Sequence, residues 1–124
     1  MNPISTSNAP AAIGPYCQAM VHNGMVYTSG QIPLDAKTGA IVGSSIADQA
    51  HQVLKNLSAV LQEAGSGMDK VVKTTCFLAD MQDFAPFNEV YAQYFTGKPA
   101  RSCVAVRTLP KNVLVEVECV AVVE

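Results

Sequence analysis

The stretch from Val113 to Val123 constrains this fold more than any other. Its odd positions, Val113, Val115, Val117, Cys119, Ala121 and Val123, are all apolar, while the even positions read Leu114, Glu116, Glu118, Val120 and Val122. Side chains along a strand point alternately to opposite faces. One face of this strand is therefore wholly apolar and is expected to lie under the protein's own helices. The other mixes two carboxylates with three large apolar groups, which suits neither a solvated surface nor a dry core. A sheet face partly covered by another subunit, with a pocket or seam left for the carboxylates, satisfies both demands.

Helices to cover the apolar face are legible upstream. From Ile46 to Ala64 the positions Ile46, Ala50, Val53, Leu54, Leu57, Val60, Leu61 and Ala64 form one continuous stripe at helical spacing. Ser45 followed by Asp48 resembles a capping arrangement, and Gly65 suits a left-handed stop. Asn56-Leu57-Ser58 spells a glycosylation sequon, read here as chance within a helix. A second helix is expected over about Phe84 to Phe95, with Asp83 as cap and Pro86 tolerated in the first turn. Its aromatic side, Phe87, Val90, Tyr91, Tyr94 and Phe95, reads as core.

Strands are expected at Cys17 to His22 and Met25 to Ser29, joined by Asn23-Gly24, the dipeptide that best supplies the positive φ angles of a tight hairpin. Val71 to Ala79, Arg101 to Arg107 and Val113 to Val123 complete the set, the last two joined by a turn at Leu109-Pro110-Lys111-Asn112. The order β-β-α-β-α-β-β, without repeat or linker, predicts one α+β domain over residues 1–124: a single sheet with two helices on one face.

Composition narrows the function. The net charge is −2, and the eight Lys and Arg are scattered from Lys37 to Lys111 with no stripe to follow a phosphate backbone, which argues against nucleic acid. Charged residues make up 15% of the chain, below the roughly 25% usual for soluble domains, which again suggests a homo-oligomer. No apolar run approaches the ~18 residues of a membrane span, and nothing near the start resembles a secretory signal. Cys17, Cys76, Cys103 and Cys119 form no C-x-x-C pair, so reduced thiols in a cytoplasmic setting are expected. With only His22 and His51, no metal site is expected, and Gly65-Ser66-Gly67 follows a helix instead of opening one, so no nucleotide fingerprint exists.

The candidate chemistry is carried by few residues. Arg101, in Pro99-Ala100-Arg101-Ser102-Cys103, would bind a carboxylate through paired hydrogen bonds, or serve as a surface arginine or an ion-pair partner of a glutamate. Glu116 and Glu118 share a sheet face roughly 6.5–7 Å apart, and either would act as a proton shuttle or water-orienting group in a half-buried cleft, or simply pair with Arg101, Arg107 or a lysine. Cys103 lacks a nearby histidine in the sequence and reads as pocket lining more than as nucleophile.

Taken together, Ala9-Pro10-Ala11-Ala12-Ile13-Gly14-Pro15-Tyr16, Ser29-Gly30-Gln31-Ile32-Pro33, Pro99-Ala100-Arg101-Ser102-Cys103 and Leu109-Pro110, in that order and spacing, closely resemble the RidA (YjgF/YER057c/UK114) family of reactive-intermediate deaminases. The resemblance runs from about Ile4 to Val123. It implies a chorismate-mutase-like fold assembled as a homotrimer with pockets at the subunit interfaces. It also implies hydrolysis of 2-imino acids, tautomers of enamines such as 2-aminoacrylate, to 2-keto acids and ammonia with no cofactor. By the same resemblance Arg101 would hold the substrate carboxylate, Glu116 would orient the attacking water, Tyr16 would close the pocket, and Ser29, Gly30 and Cys103 would line it. Only the family spacing favours Glu116 over Glu118. Between Phe95 and Pro99 stand just Thr96-Gly97-Lys98, shorter than in many relatives, so the pocket rim is expected to differ there. The competing expectation is a non-catalytic protein that binds small carboxylates in the same intersubunit pocket.

Overall fold

The structure is a computed structural model that describes residues 1–124. One six-stranded sheet carries two helices. Its elements are β1 (Asn2–Ile4), β2 (Ala19–His22), β3 (Met25–Thr28), α1 (Ile46–Glu63), β4 (Val71–Leu78), α2 (Phe84–Tyr94), β5 (Ala100–Ala105) and β6 (Val115–Val122). The strand order is β1-β2-β3-β6-β4-β5. All neighbours are antiparallel except β4 and β5, which run parallel because α2 carries the chain back along the sheet between them. The mixed α+β sheet with two helices is as the sequence predicts, with two corrections. β1 was not expected: three residues with Pro3 at the centre carry no strand pattern, and an edge strand tolerates the missing amide. Asp83 makes no capping bond. Asp80 accepts from the Gln82 amide at 2.8 Å instead, in the short 3-10 turn that leads into α2.

Local sequence explains the rest. Asn23 and Gly24 both take positive φ, 51° and 75°, and close the β2–β3 hairpin. The Ser45 hydroxyl accepts from the Asp48 amide at 3.1 Å, and Gly65 turns at φ 83° just past the end of α1. The stripe on α1 is buried with Phe87, Val90, Tyr91 and Phe95 of the α2 region against the odd positions of β6, where Val115, Val117, Cys119 and Ala121 are sealed from water. Asn56 is nearly as buried. Its side-chain amide donates to the carbonyls of Ile32 and Leu34 at 3.2 and 3.0 Å, so the sequon nitrogen is committed to holding a loop. All four cysteines are free thiols, and no helix is long and apolar enough to cross a membrane.

The sheet's second face carries no helix. Tyr27 and Val104 are about half exposed there, and Phe77, Val120 and Val122 are only partly covered. Glu116 and Glu118 lie among them, opposite Phe77 and Thr75 of β4.

Candidate functional site

Arg101 is the second residue of β5, an edge strand. Its partner on β4 is Thr74, whose hydroxyl is hydrogen-bonded to the Tyr91 hydroxyl of α2 at 2.7 Å. Paired residues of adjacent strands face the same way, so Arg101 lies on the helix-bearing side. There its guanidinium carbon sits 4.8 Å from the Tyr91 ring centroid and 5.3 Å from that of Phe84, and Nη1 donates to Asn88 Oδ1 at 2.6 Å. It borders a cleft of about 670 Å³ with Asn88, Tyr91, Phe95, Thr96 and Lys98. Thr96 and Lys98 of the short 96–98 segment thus line this cleft.

Cys103 follows two residues later on the same face, opposite buried Cys76. Burial pushes its thiol pKa up, and the Arg101 charge only partly offsets this. A protonated thiol is a poor nucleophile. His51 is engaged elsewhere, its Nδ1 2.9 Å from the Tyr94 hydroxyl, so no Cys–His pair forms.

The second group of residues collects on the other face. Glu116 is half-buried, and its carboxyl pKa is raised by burial first and by the neighbouring Glu118 second. Gly30 lies directly against it. A Cβ at position 30 would overlap the carboxylate and come within 2.8 Å of Cδ and 2.9 Å of Cγ, so only glycine leaves room for this side chain. Gln31 secures that approach through reciprocal backbone hydrogen bonds with Val117, at 2.9 and 3.1 Å. Ser29 is fixed as well, its hydroxyl donating to the Cys17 carbonyl at 2.7 Å. Tyr16, 54% exposed, shares with Gly30, Gln31, Ile32 and Lys111 a cavity of about 320 Å³.

The six residues singled out from the sequence thus fall into two clusters: Arg101 and Cys103 on the helix side, Glu116, Gly30, Ser29 and Tyr16 on or beside the bare face. Within one chain Arg101 and Glu116 lie on opposite sides of the sheet. The ion pair between them that the sequence left open is absent, and the chain's one salt bridge joins Lys70 to Glu124 at 3.7 Å. Each charge is left without its counterpart: a cation held only by neutral groups, and a carboxylate held against a glycine. Asn88 and Phe84 were not singled out from the sequence. The signal available was a polar residue set in the aromatic run of α2, four residues from Phe84 and three from Tyr91.

Comparison with known proteins gives a consistent result. The family model described as Endoribonuclease L-PSP matches residues 6–123. A RutC family protein of Synechocystis is 58% identical over 125 residues, spanning 98% of this chain and 96% of that protein. A protein of Salmonella typhimurium named 2-iminobutanoate/2-iminopropanoate deaminase is 50% identical over 123 residues, spanning 96% of this chain and 95% of its own. Among solved structures, Escherichia coli TdcF with bound serine superposes with a TM-score of 0.95 at 44% identity, with 100% of both chains covered.

Proposed function

This chain belongs to the YjgF/RidA family, and from that premise we propose that it hydrolyses small 2-imino acids to 2-keto acids and ammonia at sites shared between the subunits of a homotrimer. The observation that carries the proposal is the separation of Arg101 from Glu116 by the sheet. A single chain supplies each half of the site, at an edge strand and on a bare face, and a second copy supplies the other half. The relative of Salmonella named as a deaminase supports the reaction, and the bound serine of the TdcF structure supports a small amino-acid-like ligand in this fold.

The chemistry suits these groups. Arg101 grips the carboxylate through two N–H donors and orients the C=N carbon. Glu116 of the neighbouring copy accepts a proton from water as its oxygen adds to that carbon, giving a carbinolamine. That proton passes to the amino nitrogen, and as the C–N bond breaks the carbinolamine hydroxyl returns its own proton to Glu116, so that ammonia leaves and a keto group remains. A protonated imine is electrophilic enough that neither a metal nor a covalent nucleophile is needed. Tyr16 closes the pocket, and Ser29, Gly30 and Cys103 line it. The ribonuclease suggested by the family's description would need a basic path for a phosphate backbone, and the scattered cations supply none.

The test is keto-acid release from imino acid generated in situ by an amino-acid oxidase. The protein is expected to accelerate it, and Arg101→Ala to abolish the gain while the assembly persists. Saturable binding of 2-keto acids with no effect on imine lifetime would instead identify a non-catalytic carboxylate-binding protein.

A further inference from the structure

We infer that Phe84 and Tyr91 are positioning residues that seat the Arg101 guanidinium while leaving its charge unspent. The inference rests on the reading of Arg101 as the carboxylate clamp.

Phe84, Asn88 and Tyr91 stand at i, i+4 and i+7 of α2 and so share one face of the helix. That face meets Arg101, with the guanidinium carbon within 5.3 Å of one ring centroid and 4.8 Å of the other and Nη1 on the amide oxygen between them. Tyr91 cannot drift: its hydroxyl is tied to Thr74, and its ring packs on Phe95 with centroids 4.4 Å apart. The seat is therefore rigid on the side that matters.

Its chemistry is selective. Aromatic faces attract a guanidinium through their quadrupole and consume none of its N–H donors. Asn88 takes one donor of the five and brings no charge. An acidic residue in either role would have neutralised the arginine and competed with an incoming carboxylate, and the acids nearest in the sheet, Glu116 and Glu118, point to the other face. Arg101 is thus ordered before substrate arrives, with donors left over in its plane for a bidentate pair. The flexible side chain need not be immobilised at the moment of binding, so affinity for the carboxylate gains. Lysine would not serve in its place, because an ammonium has no plane to seat.

Calorimetric titration of the full chain with 2-ketobutanoate tests this. Half-buried Phe84 is the deciding position: Phe84→Leu is expected to weaken binding about 3- to 10-fold, and to raise KM for the imino acid by the same factor with kcat nearly unchanged. Tyr91→Phe, which keeps the ring but frees it from Thr74, is expected to lower the melting temperature and to weaken binding less than Phe84→Leu does. In an Arg101→Ala background Phe84→Leu is expected to do nothing further. Wild-type binding by Phe84→Leu alongside lost binding by Arg101→Ala would overturn the aromatic seat alone. Wild-type binding by Arg101→Ala would remove the clamp, and the seat with it.

Discussion

Glu116 is asked to accept a proton from water, and its surroundings set the pH at which it can. Burial and the negative charge of Glu118 both disfavour the ionised form, so the carboxyl titrates above the ordinary glutamate range. A base must be deprotonated to act, so burial and Glu118 push the acid limb of the kcat/KM profile upward, and in the proposed shared site the neighbouring copy's Arg101 pulls it back down. Replacing Glu118 by glutamine removes the second cause and leaves the first. Ionisation then becomes easier, and the limb should move to lower pH. A limb that stays put or moves upward in E118Q would show that Glu116 is not the group being titrated. Gly30 sets the same carboxylate's position. In Gly30→Ala the added methyl collides with the mobile end of Glu116, so the side chain moves more readily than the backbone. Misplacing a catalytic group by about 1 Å can cost ~100-fold in rate, whereas overpacking typically costs about 1–3 kcal/mol. Activity is expected to fall by roughly two orders of magnitude while thermal melting shows a cooperative fold with a modest shift.

At the level of elements, buried amides hold loops to helices. Asn56 on α1 is 2% exposed, donates to the Ile32 and Leu34 carbonyls, and accepts from Gln52 at 2.8 Å. Asn56→Ala would strand two acceptors, and an unsatisfied buried polar group costs ~1–3 kcal/mol. A loss of about 2–6 kcal/mol in denaturant unfolding is expected from this pair. A loss below ~0.5 kcal/mol would mean that water replaces the amide. The sequence hid this role, because a lone asparagine beside Leu57 reads only as a sequon or a break in the stripe. What was legible was local: the hairpin at Asn23-Gly24, the cap at Ser45, the stop at Gly65 and the two-faced pattern of β6 each need only nearby residues to be seen. β1 was invisible because it is held by its antiparallel partner β2 and not by its own composition. The failed cap at Asp83 has a similar origin, since an acid three residues earlier, Asp80, starts the turn first. The candidate site residues were legible one by one but not as an arrangement. That Arg101 shares a face with Thr74, and Glu116 with Phe77, follows from strand pairing across the sheet, which no single segment encodes.

For the whole molecule, the proposed pairing of Arg101 with Glu116 makes a demand that one copy of the chain cannot meet, since the two lie on opposite faces of its sheet. If each site takes Arg101 from one subunit and Glu116 from the next around a ring, every subunit contributes to two sites, and damage in different subunits can be complemented. Arg101→Ala and Glu116→Gln homotrimers should each be inactive. In a mixed trimer, whichever subunit keeps its arginine beside a neighbour that keeps its glutamate rebuilds one intact site. A ring containing both variants always has one such junction and only one. With equal mixing about three rings in four are hybrids, so the mixture should recover about a quarter of the wild-type rate. Mixing must follow unfolding and joint refolding or coexpression, since preformed trimers exchange slowly if the bare face with Phe77, Val104, Val120 and Val122 is the seam. A charge placed there tests that seam directly. Val104→Glu should reduce the sedimenting mass from three chains toward the 13.1 kDa of one and abolish activity together with it. No recovery in the mixture, with each variant still trimeric, would place Arg101 and Glu116 in separate sites and end the proposal that they act on one substrate.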